Sequence, residues 1–180
     1  MASGSGDLGT PMWQKAASFA ARAHRHHVRR DGKTPYVAHV FRVAMTVRDV
    51  FGCDDEVCLA AALLHDTIED TGADFDEIAE GFGAEVARCV AALTKNMALP
   101  EAEREPDYDA RLARADWRAR LVKLADQYDN LSDLCDGDAA FCGRAVARAQ
   151  RAVKLAEADR GIPAVDRAAA AVEAVLARMG

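Results

Sequence analysis

The sequence contains no apolar run approaching the roughly 20 residues that a membrane-crossing helix needs. Its start, "MASGSGDLGT", lacks the basic and apolar regions of a secretory signal and reads as a flexible tail over residues 1–10. The five cysteines, Cys53, Cys58, Cys89, Cys135 and Cys142, are odd in number and form no Cys-x-x-Cys pair. That excludes a disulfide framework or a zinc knuckle and makes a reducing cytoplasm the simplest home. Glycine and proline are scarce, 12 and 5 of 180 residues, and no segment alternates with period two for long. That composition disfavours a disordered chain and a many-turned β-sandwich. A basic excess is missing too: the net charge is −6, which argues against general nucleic-acid binding.

What is present is alanine and helical periodicity. A chain of this length forms one domain, here residues 11–180, burying about two-thirds of the surface its unfolded form exposes. A first helix is expected from Pro11 through "WQKAASFAARAHRHH", and a second over "TPYVAHVFRVAMTVRDVFG" with Thr34 as N-cap and Pro35 at the first helical position. Gly52 stops it, and "CDDEVCLAAALLHDTIEDTG" is expected as one continuous third helix. Asp74 and Glu77 form a capping-box-like start for "FDEIAEGFG", followed by "AEVARCVAALTK". The polar stretch "NMALPEAEREPDYDARLARAD", twice interrupted by proline, reads as an exposed flap with short helical pieces. Helical periodicity returns at Trp117 and continues through two Ala/Arg-rich helices. The reading is an all-α bundle of about seven or eight helices.

Within it, "AALLHDTIED" runs from buried apolar residues into His65, Asp66, Glu69 and Asp70. On a continuous helix the i,i+4 spacing sets His65 over Glu69 and Asp66 over Asp70. Acids near a helix C-terminus oppose its dipole and invite a compensating cation. His39 and Asp126 come from other helices. Taken singly, His39 reads as a core histidine and Asp126 as a partner of Lys123. Together the two imidazoles and two carboxylates form a mixed N/O set suited to Mn²⁺, Fe²⁺ or Zn²⁺ and too rich in nitrogen for Ca²⁺. Between Arg22 and Arg42, six Lys or Arg residues stand against the single acid Asp31, a local charge able to receive a small anion.

The order His39, His65-Asp66, Asp126 resembles the H…HD…D signature of the HD-domain metal-dependent phosphohydrolases, an all-α superfamily. The blocks "AHRHHVRRDGKTPYVAH", "AALLHDTIEDT", "FGAEVARCVAALTK", "LPEAER" and "RLVKLADQYDNL" resemble the hydrolase domain of RelA/SpoT-type alarmone enzymes, in particular the short, stand-alone form typified by the metazoan SpoT homologue. The likeness runs from Trp13 to about Leu134.

The resemblance implies that His39, His65, Asp66 and Asp126 hold one divalent metal ion, usually Mn²⁺, and that Glu69 and Asp70 are the catalytic acids. It implies that Arg29 and Arg30 contact nucleotide base and phosphate, Arg30 standing in for a lysine. Asn130 would meet the ribose, and Lys33 is a weaker phosphate candidate. The activity implied is hydrolysis of guanosine tetra- and pentaphosphate at the 3′ position, on a small-molecule nucleotide, with no nucleic-acid or membrane partner. Two departures stand out: His39 is followed by Val40 where the family has proline, and "ADQYDN" replaces "ADR-hydrophobic-HN". The latter puts Gln127 and Asp129 where they are expected to alter charge near the substrate. An NADPH 2′-phosphatase, a 5′-nucleotidase and a non-catalytic nucleotide-binding module are the alternatives. His24, His26 and His27 read as structural or solvated residues, and the Arg144, Arg148, Arg151 stripe as a wetted helix face, with the border of an anion pocket as the alternative.

Overall fold

The computed structural model describes residues 9–133 and 139–179. Residues 1–8 of the expected tail, Cys135 and the end of the family-like region at Leu134 lie outside the described residues. The fold is all-α. It comprises α1 (Met12–Ala23), α2 (Val37–Met45), α3 (Glu56–Leu64), α4 (Thr67–Asp70), α5 (Phe75–Phe82), α6 (Ala84–Leu93), α7 (Glu101–Arg114), α8 (Trp117–Ser132), α9 (Ala139–Ala156) and α10 (Pro163–Met179).

Helix α8 occupies the centre, packed against α2, α3, α6, α9 and α10. Its Leu121, Val122, Leu124 and Ala125 are wholly buried, as are Val40 and Val43 of α2 and Ala60 to Ala62 of α3. Burying an aliphatic side chain contributes about 1.5–3 kcal/mol, so these facing stripes hold the helices that carry the ionisable groups. Asp55, Asp74 and Asp116 each cap a helix by accepting a backbone N–H in its first turn. The last helix reaches back as well: Arg167 donates to the carbonyls of Phe51 and Gly52 at 2.7 and 3.2 Å, where the chain leaves the α2 segment with Gly52 at φ +64°.

Three local expectations change. The run Cys53–Gly72 is two helices and not one. His65 Nδ1 lies 2.8 Å from the Ala62 carbonyl and Thr67 Oγ1 donates to Leu64 O at 2.6 Å, so side chains take the carbonyls at the end of α3. Asp66 sits at the junction with φ −100° and ψ 0°, a bridge conformation common in active sites. The start of α2 lies at Val37, with Thr34 outside it. Asp31 accepts Lys33 N–H, Thr34 N–H and Thr34 Oγ1–H, pulling Thr34 into a turn. Arg29 N–H to Thr34 O at 2.7 Å and Tyr36 N–H to His27 O at 2.8 Å complete a hairpin-like loop.

The third change is the expected flap. Residues Glu101–Arg114 form a 14-residue helix despite Pro106 within it, and they bury Tyr108 and Leu112. Cross-helix bonds compensate the hydrogen bond lost at proline. Arg111 donates to Ala91 O and Thr94 O at 3.1 and 2.8 Å, while Glu105 accepts from Lys95 at 2.9 Å and Arg151 at 2.7 Å.

Candidate metal and nucleotide site

Helices α2, α3 and α8 bring His39, His65 and Asp126 together. One ligand atom from each lies within 4.8 Å of the others, making them a group able to hold a metal ion among the described residues. His39 Nε2 is 3.4 Å from Asp126 Oδ1 and 3.6 Å from Asp66 Oδ2; His65 Nε2 is 3.8 and 3.0 Å from the same two atoms. Asp66, the fourth sequence-predicted ligand, approaches both histidines but falls outside that three-residue group.

The donor chemistry fits a cation. His65 directs Nδ1 at a backbone carbonyl, leaving Nε2 facing the cluster, buried and without a hydrogen-bond partner despite its nearness to Asp66. A buried nitrogen so placed is costly unless something binds it. Burial opposes charge on each of these groups, yet their mutual attraction prevails. His39 is pushed up to about 10 by its hydrogen bonds to Asp126, Asp129 and Asp66. His65 is raised by Asp66 and Asp126, and Asp66 lies well below the usual carboxylate range because of the two imidazoles. Asp126 is held low by Lys123 and both histidines. Two imidazoles set against two buried carboxylates mark a place that favours positive charge, which a divalent ion bound there would supply.

Asp126 has a divided role. Its Oδ1 faces the histidines and accepts Asn130 Nδ2–H at 2.6 Å; its Oδ2 accepts from Lys123 at 2.9 Å and Gln127 at 2.8 Å. Both readings of Asp126, member of the quartet and partner of Lys123, therefore hold geometrically. Tyr36, whose phenol is kept protonated by burial and by Asp66, donates to Asp66 Oδ2 at 2.6 Å.

Around the cluster lies a cavity of about 440 Å³, large enough for a nucleotide. Glu69 and Asp70, on α4, line it beside the quartet. Glu69 Oε2 accepts the Lys95 N–H at 2.7 Å. Asp70 has a raised pKa, from burial first and then from the charges of Asp66 and Glu69. Arg29, Arg30 and Asn130 line the same cavity. Arg29 Nη2 donates to Asn130 Oδ1 at 3.1 Å, and the Arg30 guanidinium lies 3.8 Å from the Phe141 ring centre. Lys33 is set apart: it is exposed and does not line the cavity.

Sequence reasoning passed over several contributors. Lys95, Tyr108 and Lys123 line the cavity, as do Phe141 and Ala145 of α9; Arg148, a member of the arginine stripe read from the sequence, borders the same cavity. Asp129 is 6% exposed and does not line the cavity; it bonds His39 and Arg42 instead of altering charge beside a substrate. The available signal was spacing, since Tyr36 and Arg42 flank His39 at three residues and Asp129 follows Asp126 by three. His24 is buried, held neutral with a pKa of about 4 by that burial, and stacked 4.9 Å from Tyr36 as part of the floor beneath it.

A family model described as HD domain matches residues 16–153. The chain belongs to the HD-domain family. This HD domain is 45% identical over 121 residues to the human protein named guanosine-3′,5′-bis(diphosphate) 3′-pyrophosphohydrolase MESH1, covering 67% of this chain and 68% of that one. It is 37% identical over 124 residues to the Aquifex aeolicus guanosine-3′,5′-bis(diphosphate) 3′-pyrophosphohydrolase, covering 67% of this chain and 17% of that longer one. A solved structure described as "A metazoan ortholog of SpoT hydrolyzes ppGpp and plays a role in starvation responses" superposes on the HD domain with a TM-score of 0.83 and 30% identity, over 96% of this chain and 97% of that one. No helix among the described residues is long and apolar enough to cross a membrane.

Proposed function

We propose that residues 11–180 form a single cytoplasmic HD phosphohydrolase domain that hydrolyses guanosine tetra- and pentaphosphate at the 3′ position, releasing pyrophosphate and GDP or GTP. One observation carries the reading: a His/Asp group able to hold a metal, an adjacent pair of acids and the arginines of a basic loop open into one nucleotide-sized cavity. The names borne by the human and Aquifex aeolicus relatives support the choice of substrate.

In this reading His39, His65, Asp66 and Asp126 would hold one divalent ion, manganese foremost, with zinc and iron the other metals this donor set suits. Such an ion, when bound, polarises a phosphoryl oxygen and lowers the pKa of a bound water toward neutrality. Glu69, oriented by the Lys95 N–H, accepts the proton of the water that attacks the phosphorus on the 3′ oxygen. Asp70, its pKa raised by burial and by the charges of Asp66 and Glu69, delivers a proton to the 3′ oxygen as the P–O bond breaks. The water oxygen leaves in pyrophosphate and the ribose regains its 3′ hydroxyl. Arg29 and Arg30 offer planar donors to phosphate and a flat cation to the base, and Asn130 meets the ribose. Lys33, outside the cavity, contributes charge alone.

The test is product analysis after incubation with Mn²⁺ and, separately, guanosine tetraphosphate, NADPH and a 5′-nucleotide. Pyrophosphate with GDP is the expected result. Orthophosphate from NADPH or the nucleotide, with no pyrophosphate from the alarmone, would replace this reading by a phosphatase.

A further inference from the structure

The Asp129 carboxylate is buried between an imidazole and a guanidinium. Its Oδ2 lies 2.6 Å from His39 Nδ1, and Arg42 grips both its oxygens, Nε to Oδ1 at 2.5 Å and Nη2 to Oδ2 at 2.9 Å. Arg42 Nη2 also reaches Asp133 Oδ2 at 3.0 Å, an atom shared with Arg29 Nη2 at the same distance. None of these bonds points Asp129 at the cavity.

The consequence follows from the two-sided chemistry of imidazole. A neutral histidine has one N–H and one lone pair, and whichever nitrogen donates leaves the other as ligand. A buried carboxylate fixed at Nδ1 selects the Nδ1–H form, aims Nε2 at Asp66 and Asp126, and strengthens that nitrogen as a donor to a metal. A carboxylate doing this without a counterion would be an unpaired buried charge, which is costly. Arg42, one turn after His39 on α2, removes that cost through a bidentate pair.

We propose that Asp129, clamped by Arg42, is a positioning residue for His39 that sets its tautomer and ring orientation for metal binding. This rests on the reading of His39 as a metal ligand. The residue stands where the resembling family's pattern has histidine. The sharing of Asp133 by Arg42 and Arg29 further ties this orienting group to the loop that lines the nucleotide cavity.

Two measurements test it. In zinc-loaded wild type, a long-range ¹H–¹⁵N NMR spectrum is expected to show His39 protonated at Nδ1 and unprotonated at Nε2. A proton retained at Nε2 would overturn the inference without recourse to any variant. Mn²⁺ titration of wild type, Asp129→Ala and Asp129→Asn, followed by EPR, is expected to show a loss of affinity of about 10- to 100-fold for Asp129→Ala. A smaller loss is expected for Asp129→Asn, whose amide oxygen still accepts the N–H. Excess Mn²⁺ is expected to recover most of the lost turnover of Asp129→Ala, with KM for the nucleotide little moved. Unchanged Mn²⁺ affinity in Asp129→Ala, even with a lowered melting temperature, would make Asp129 merely structural. Failure of wild type itself to bind Mn²⁺ or Zn²⁺ would remove the metal reading and this inference with it.

Discussion

Lys123 Nζ donates to Oδ2 of Asp126 at 2.9 Å while Oδ1 of the same carboxylate faces His39 and His65, so one acid is shared between a fixed cation and the candidate metal position. The pair is three residues apart on α8 and largely buried. Replacing Lys123 by Met leaves Asp126 short of positive charge. A loss of about 3 kcal/mol is expected in the metal-free protein, the lower end for breaking a buried pair because Gln127 and Asn130 still bond the carboxylate. Saturating Mn²⁺ should return part of it. Calorimetric unfolding with and without the metal reads both values, and equal losses in the two conditions would contradict the shared role.

Glu69→Gln and Asp70→Asn keep shape while removing a proton acceptor and a proton donor. Each is expected to lower kcat by about 10²- to 10⁴-fold while leaving Mn²⁺ affinity within a few-fold of wild type. Pyrophosphate release and EPR titration on the same preparations separate the two effects. Full activity in either variant would remove that residue from the proton-transfer role.

Phe141 holds the Arg30 guanidinium against its ring, so that the arginine is already extended toward the cavity. A cation–π contact contributes about 0.5–2 kcal/mol. Phe141→Ala is therefore expected to raise the nucleotide KM about 2- to 30-fold with kcat little changed. Steady-state kinetics decides this, and a fall in kcat at constant KM would argue against a preorganising contact.

Asp55 both caps α3 and pairs with Arg118 at 2.7 Å, and that bond, against some opposition from burial, holds its pKa below the ordinary value. A depressed folded pKa means that the folded protein binds this proton less readily than the unfolded chain. The stabilisation is complete above the unfolded value of about 3.9 and is lost as pH falls through the lower folded value. An Asp55→Asn, Arg118→Gln double-mutant cycle is expected to show about 1–2 kcal/mol of coupling at pH 7, fading below about pH 3.9. Coupling unchanged at pH 2 would contradict the ionic origin.

The meeting of His39, His65 and Asp126 was legible because each interrupts an apolar helix or its end, where an unpartnered ionisable group is expensive. The all-α fold was legible for the related reason that periodicity reports burial. The helical state of residues 101–114 was not. Pro106 and a polar composition imitate a loop, and what holds the segment, Glu105 to Lys95 and Arg151 and Arg111 to two carbonyls at the end of α6, joins positions that no local period connects. The junction at Asp66 escaped notice because the apolar residues before it and the acids after it preserve helical spacing across a break made by His65 and Thr67 side chains. Asp129 was misplaced for a third reason: a charged residue beside a site is read as facing the substrate, and only the position of Arg42 shows that it faces away.

The bonds from Arg167 to Phe51 and Gly52 join positions 116 and 115 residues apart. The segment that carries His39 is thus finished by a side chain from the far end of the chain, alongside the buried Val165, Ala168 and Val172 of the same helix. Long-range closures of this kind are slow to form because the intervening chain must first be ordered. A rearrangement that carried the His39 segment elsewhere is therefore expected to need α10, or another donor, to close the same two carbonyls.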